Sequence, residues 1–199
     1  FFAMPMPTQP LGWFKKPVKS AADLKGLKYR TVGLAADLFQ AMGVRVTQLP
    51  GGEIVPAMER GVIDAFEFNN PTSDRRFGAQ DVAKNYMLGS YHQATEYFEI
   101  MFNKGKFTAL PKEQQAILQY GAEAVSSANE WKAMDYYSKD LQELITKDKV
   151  NVIRTPKDVF AAQIKAWDGL IELLGKDPFM KKVMDSQKAW VKRVVYYGM

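Results

Sequence analysis

Apolar positions along this chain follow short alternating runs in its first third and long helical spacing after residue 111. Residues from about Phe2 to Lys16 read as an extended segment punctuated by Pro5, Pro7, Pro10 and Pro17. "SAADLKGLK" supplies a serine cap and a short helical turn before an expected strand from Lys28 to Val32, which Gly33 breaks. Leu34, Leu38 and Met42 then recur at helical spacing, and Gly43 closes that helix. "VRVTQL" alternates as a strand does and runs into the turn Pro50-Gly51-Gly52. "EIVPAMERG" predicts a short helix that tolerates Pro56 in its first turn. "VIDAFEF" predicts a buried strand running into "NNPTSD", a turn with cap chemistry. This strand–helix alternation is that of an α/β sheet.

From Pro111 the period changes. Ile117, Tyr120, Ala124, Ala128, Trp131 and Leu141 hold helical spacing through residue 146, which predicts a helix of about 50 Å at 1.5 Å per residue. A short strand, "VNVIR", and two further helices, "PKDVFAAQIKAWDGLIELLG" and "DPFMKKVMDSQKAWVKRVVYY", complete the chain. Met58, Met87 and Met101 read as core residues.

Composition narrows the class. A hydrophobic fraction of 47% over 199 residues supports a real core, and 25% charged residues is ordinary for a globular protein. The net charge of +5 is spread along the chain, with one short cluster at Lys181, Lys182, Lys188, Lys192 and Arg193. That spread suits anionic partners and speaks against nucleic acid, which calls for a concentrated stripe. The absence of cysteine excludes disulfides, thiolate metal sites and a cysteine nucleophile. No apolar run reaches the length of a membrane span, and no basic-then-apolar leader is present. The opening "FFAMPMPTQPLGWF" reads as an interior strand, so the chain is expected to be a fragment or a processed piece.

Enzyme signatures are missing: there is no glycine-rich phosphate loop, no GxSxG and no HExxH, and the single histidine, His92, has no obvious nucleophile beside it. Asp64 and Glu67, three apart in a strand, point to opposite faces and make a poor acid/base pair. Two charges stand out. Arg30 ends one expected strand with no residue of opposite sign within six positions on either side. Its counter-charge must come from elsewhere in the fold or from a ligand. Glu67 ends another strand and shares a face with Ile63 and Ala65, where a carboxylate is costly unless it is paired, bound to a cation or already solvated at the strand's tip. Carboxyl ends of strands line the ligand crevice of open α/β sheets.

Four blocks, in order along the chain, resemble the C-terminal half of the solute-binding proteins of tripartite ATP-independent periplasmic (TRAP) transporters, the DctP family. They are "SAADLKGLKYRTVG", "LPGGEIVPAMERGVIDAFEFNNPTSD", "YHQATEYFEIMFN" and "LPKEQQAILQYGAEA". The similarity covers essentially the whole chain and is strongest to the branch that binds 2-oxo acids and lactate. It implies an α/β fold of two lobes, of the type II periplasmic binding protein kind, joined by crossing strands and braced by a long helix. The N-terminal lobe and the periplasmic leader would be largely absent from this chain. On that pattern residues 1–62 are expected to be the α/β part of the C-terminal lobe with a crossing strand, and 63–96 a segment returning to the N-terminal lobe. Residues 97–175 would be C-terminal lobe with the long helix at 111–146, and 176–199 a C-terminal helix.

The resemblance also implies roles. Arg30 stands where the family's arginine grips the ligand carboxylate, a task for which the guanidinium fork is suited. A bridging cation, Na+ or Ca2+, would be held by Gln9, Glu67, the backbone of Phe68, and a glutamate whose position is occupied by Gln93 in this chain. That exchange removes one negative charge and implies a weaker site, sodium over calcium, or no metal. Asn69-Asn70 replace more apolar or glycine-containing family sequence and bear on ligand choice. Trp13, Phe68 and Tyr91 are candidates for pocket walls or for core, and His92 is a further wall candidate. Gly33 would leave room for a ligand beside the backbone.

The implied function is a periplasmic receptor, not an enzyme, for a small carboxylate such as pyruvate or lactate. Its ligand would meet Arg30, Gln9, Glu67, Phe68, Asn69, Tyr91 and Gln93, with its 2-oxo or 2-hydroxyl oxygen on the cation or on Gln93. The lobes would close over it and present a changed surface to the TRAP membrane subunits. A homodimer through the C-terminal helix is also implied. The rival readings are an α/β enzyme that holds an anionic substrate on Arg30 with Glu67 as base, and an interaction module whose basic surface binds acidic partners.

Overall fold

Burial divides the apolar residues between the two faces of one mixed sheet. In the computed structural model, which describes residues 2–94 and 96–198, the chain opens with β1 (Phe2–Met6) and β2 (Gly12–Phe14). β3 (Lys28–Arg30) leads into α1 (Leu34–Ala41), β4 (Arg45–Thr47), α2 (Ile54–Glu59) and β5 (Ala65–Phe66). Then come α3 (Pro71–Phe77), α4 (Ala79–Val82), β6 (Asn85–Leu88), β7 (Glu96–Ile100) and α5 (Lys104–Thr108). α6 (Lys112–Thr146), β8 (Asn151–Arg154), α7 (Lys157–Leu174) and α8 (Pro178–Gly198) follow.

The main sheet has the order β4-β3-β5-β2-β6-β8. β3 pairs in parallel with β4 and β5, β6 pairs in parallel with β8, and β2 runs antiparallel between β5 and β6. One face carries Phe14, Tyr29 and Ala65 against Ala35 and Phe39 of α1 and Val159 of α7. The other carries Trp13, Phe66 and Tyr86 against α2, α4 and Leu144 near the end of α6. Alternation along each strand therefore feeds two apolar layers, as a sheet covered by helices on both faces requires. Gly12, at φ +119, lets β2 approach β5 closely, because a Cβ there would collide with the carbonyl oxygen of Phe66.

The segment expected to return to the other lobe, 63–96, instead supplies β5 and β6 of this sheet. The physical reason is local: Ala65, Phe66, Tyr86 and Met87 are fully buried against β2 and β3. β1 and β7 form a separate antiparallel ribbon laid against α6, where Ser126 Oγ donates to the Ala3 carbonyl. α6 begins and ends within a residue of its expected span, yet Ile117, Tyr120 and Trp131 lie exposed on it. Met58 and Met87 are core, whereas Met101 is 77% exposed because the chain has left the ribbon there. Among the described residues no helix is long and apolar enough to cross a membrane.

Candidate functional site

The strand directions gather one edge of the sheet. β3 and β5 are parallel, with Arg30 opposite Phe66, so both stop at the same side. β2 starts at that side, which places Gln9 just ahead of it, and β6 ends there, delivering residues 89–94. Arg30, Glu67, Gln9 and Gln93 thus converge although they lie far apart in sequence.

Arg30 and Glu67 pair directly. Arg30 Nη1 lies 3.0 Å from Glu67 Oε1 and also donates to the Glu67 carbonyl at 2.8 Å, while Nε donates to the Leu49 carbonyl at 2.9 Å. The other carboxylate oxygen of Glu67 meets Gln9 Nε2. Both charges are buried, Arg30 at 5% and Glu67 at 3% exposure. Burial pushes the Glu67 carboxyl up from its ordinary pKa, against the pull of Arg30 and Gln9. The counter-charge of Arg30 is therefore Glu67 itself. Its Nη2 donates no hydrogen bond to any described residue. The strand does end before Glu67, but the carboxylate is buried and paired, not solvated at a tip. Ile63 and Ala65, expected on one face with it, fall in different apolar layers because regular pairing covers only Ala65 and Phe66.

Asp74 holds the loop beyond Glu67. Its Oδ1 accepts from the backbone amides of Asn69 and Asn70 at 3.1 and 3.2 Å and from Ser73 Oγ at 3.2 Å. Its Oδ2 accepts from Trp13 Nε1 at 2.9 Å and Tyr86 O–H at 3.4 Å. Asn70 caps α3, its side chain accepting from the Ser73 amide. The cap is legible in "NNPTSD"; the role of Asp74 is not, because its donors Trp13 and Tyr86 come from other strands.

The aromatic candidates separate. Trp13 is fully buried and stacked on Tyr86, so it is core and not a pocket wall. Phe68 stacks on Phe77 at 4.9 Å and covers Gly51. Tyr91 packs on Phe160, and its backbone is tied to Gln163 and Trp167 of α7. No described contact brings the Tyr91 side chain to Arg30 or Glu67. Asn69 stays beside the site through the chain, with its Oδ1 taken by Asn70 Nδ2 at 2.7 Å. A Cβ added at Gly33 would meet open space, and the backbone φ of +60 and ψ of −147 at the start of α1 call for glycine there.

Gln93 reaches the site through backbone and side chain. Its carbonyl accepts from the Gln9 amide at 3.2 Å, and its Nε2 donates to Glu96 Oε1 at 3.2 Å. Glu96, which nothing in the sequence pattern singles out, is pushed up to about 7 by burial, with Glu67 and Asp74 adding to the rise. His92 points its Nδ1 at Ser90 Oγ, 2.6 Å away. That hydroxyl already accepts from Gln163 Nε2 and from the His92 amide, so its proton goes to Nδ1 and the ring carries its own proton on Nε2. Nε2 is buried without a partner among the described residues, and burial pushes the ring down to about 4, keeping it neutral.

For a cation the donors are one carboxylate, Glu67, the amides of Gln9 and Gln93, and backbone carbonyls. This all-oxygen set fits a hard ion. Among the described residues no group of three or more His, Cys, Asp or Glu stands ready to hold a metal. Two grooves of 610 Å³ lie away from this edge. One is lined by residues including Lys25, Met42 and Leu170, the other by Trp167, Met184 and Val191; neither contains a site residue.

A buried arginine and carboxylate at the carboxyl ends of parallel strands, ringed by amides, is how an α/β sheet presents polar groups to a small ligand. The family model described as bacterial extracellular solute-binding protein, family 7 (DctP), matches residues 9–173, and the chain belongs to that family. The monocarboxylate 2-oxoacid-binding periplasmic protein of Nostoc sp. (strain PCC 7120) is 34% identical over 185 residues, covering 92% of this chain and 50% of that protein. A TRAP periplasmic solute-binding protein from Colwellia psychrerythraea, solved with calcium and pyruvate, superposes with a TM-score of 0.84 at 30% identity, over 100% of this chain and 64% of that one. Another from Pseudoalteromonas atlantica T6c, with sodium and pyruvate, gives 0.87 at 28% identity, over 99% and 60%. The chain spans about half the length of the curated relatives it matches.

Proposed function

We propose that the protein is an extracytoplasmic receptor that captures a small 2-oxo or 2-hydroxy carboxylate in the periplasm and delivers it to TRAP membrane subunits. The observation that carries this reading is the state of Arg30. Two of its nitrogens are fixed by Glu67 and the Leu49 carbonyl, and the third is left without a described partner at the edge where ligands bind. The preset guanidinium holds its charge in place before the ligand arrives, which lowers the ordering cost of binding. Relatives solved with pyruvate beside calcium or sodium support the ligand class. In this chain Gln9, Glu67 and Gln93 would hold such a cation, which would supply positive charge to the ligand's second oxygen.

Calorimetry on the full-length protein, with monocarboxylates and dicarboxylates in the presence of sodium, calcium or chelator, tests the reading. Pyruvate or lactate is expected to bind with heat and without turnover. Conversion of the acid to product would establish the α/β enzyme instead. Absence of binding across the panel would remove the receptor reading altogether.

A further inference from the structure

A glutamine at position 93 leaves Glu67 as the one carboxylate among Gln9, Glu67, Phe68 and Gln93, yet a second carboxylate is hydrogen-bonded to Gln93. Glu96 opens β7 opposite Met6, three residues before Gln9, and is only 9% exposed. Its Oε1 accepts from Gln93 Nε2 at 3.2 Å. Gln93 is itself anchored, because its carbonyl accepts from the Gln9 amide at 3.2 Å and from Thr8 Oγ1 at 3.4 Å. Gln9 in turn meets Glu67. Glu96, Gln93, Gln9 and Glu67 therefore form one connected run of polar groups.

Among the described residues Glu96 has no cationic partner, and its Oε2 accepts no hydrogen bond. The nearest cation on the run, Arg30, is already neutralised by Glu67. A carboxylate oxygen left without a protein partner in such a place is open to a cation. Another neighbour of Glu96, the phenol of Tyr137 on α6, brings no positive charge.

We propose that Glu96 supplies the second carboxylate of the cation subsite, replacing the charge lost at position 93, and that Gln93 is the residue that positions it. The proposal rests on the receptor reading. A single exchange at position 93 would then have moved the charge by three residues without removing it, and the site would remain able to hold a divalent ion.

The test is cation binding without any carboxylate present. Full-length protein is stripped with chelator, then titrated with calcium chloride and separately with sodium chloride at constant ionic strength, read by calorimetry and by the midpoint of thermal unfolding. Glu96→Gln should bind calcium about tenfold or more weakly and lose the calcium-dependent rise in midpoint. Adding Gln93→Glu to that variant, which returns a carboxylate to the neighbouring position, should restore both. Should Glu96→Gln not fold, Glu96→Asp, with its shorter reach, carries the same expectation. Equal calcium binding by parent and variant overturns the proposal, as does a parent that binds neither ion. Pyruvate binding by a parent that takes no cation would sink this proposal and leave the receptor standing; loss of both would sink both.

Discussion

Asp74 concentrates five donated hydrogen bonds on one buried carboxylate, from Trp13, Tyr86, Asn69, Asn70 and Ser73. Burial nevertheless outweighs those donors and pushes its pKa up to about 6, from 3.8. Between these values the folded state binds more protons than the unfolded state, so this group's contribution to stability falls as pH rises from about 4 to about 6. Compared with Asp74→Asn, the parent should gain roughly 3 kcal/mol on acidification across that window, measured by urea unfolding at stepped pH. A parent and variant with parallel pH profiles would remove Asp74 as a titrating anchor. Arg30 and Glu67 are legible as candidates because each is a charge at the end of an expected strand, Arg30 with no opposite sign within six positions and Glu67 on an apolar face. Their pairing is not, since thirty-seven positions separate them and only the parallel register of β3 and β5 joins them. The same distance effect hides Glu96, whose significance depends on Gln93 and Gln9 being beside it.

At the scale of elements, long helices and the short strands bounded by glycine or proline turns are legible in the sequence, whereas the separate strands β1 and β2 inside the opening proline-punctuated segment are not. α6, α7 and α8 repeat their apolar positions over many turns, whereas β2 has three residues and no alternating run around it. Such strands carry too few positions to show alternation, and their neighbours define them. α8 raises a separate question, because Phe179, Trp190, Val191, Val194, Val195, Tyr196 and Tyr197 are all exposed on it. We expect this helix to pair with the same helix of a second copy, a contact that buries the large aromatics interfaces favour. Light scattering on the full-length protein should then give a dimer, and Trp190→Asp a shift toward monomer. A monomeric parent at micromolar concentration would refute the pairing.

Across the whole molecule, the sheet, its two helical layers and the ribbon on α6 act to present one polar edge. The α/β class and the long helix are legible from period alone, and the family blocks carry the site residues onto it. The division at residue 62 is not, because a boundary depends on which strands share a sheet, and β5 and β6 join β2 and β3. We propose that Arg30, preset by Glu67 and the Leu49 carbonyl, receives the ligand's carboxylate. Calorimetric titration of full-length Arg30→Lys with pyruvate tests it most directly, since lysine keeps a positive charge beside Glu67 but cannot serve three partners from a rigid fork. A loss of about hundredfold in affinity, near 2.8 kcal/mol, is predicted for a variant that still unfolds cooperatively. Pyruvate binding as tight as the parent's would contradict the claim.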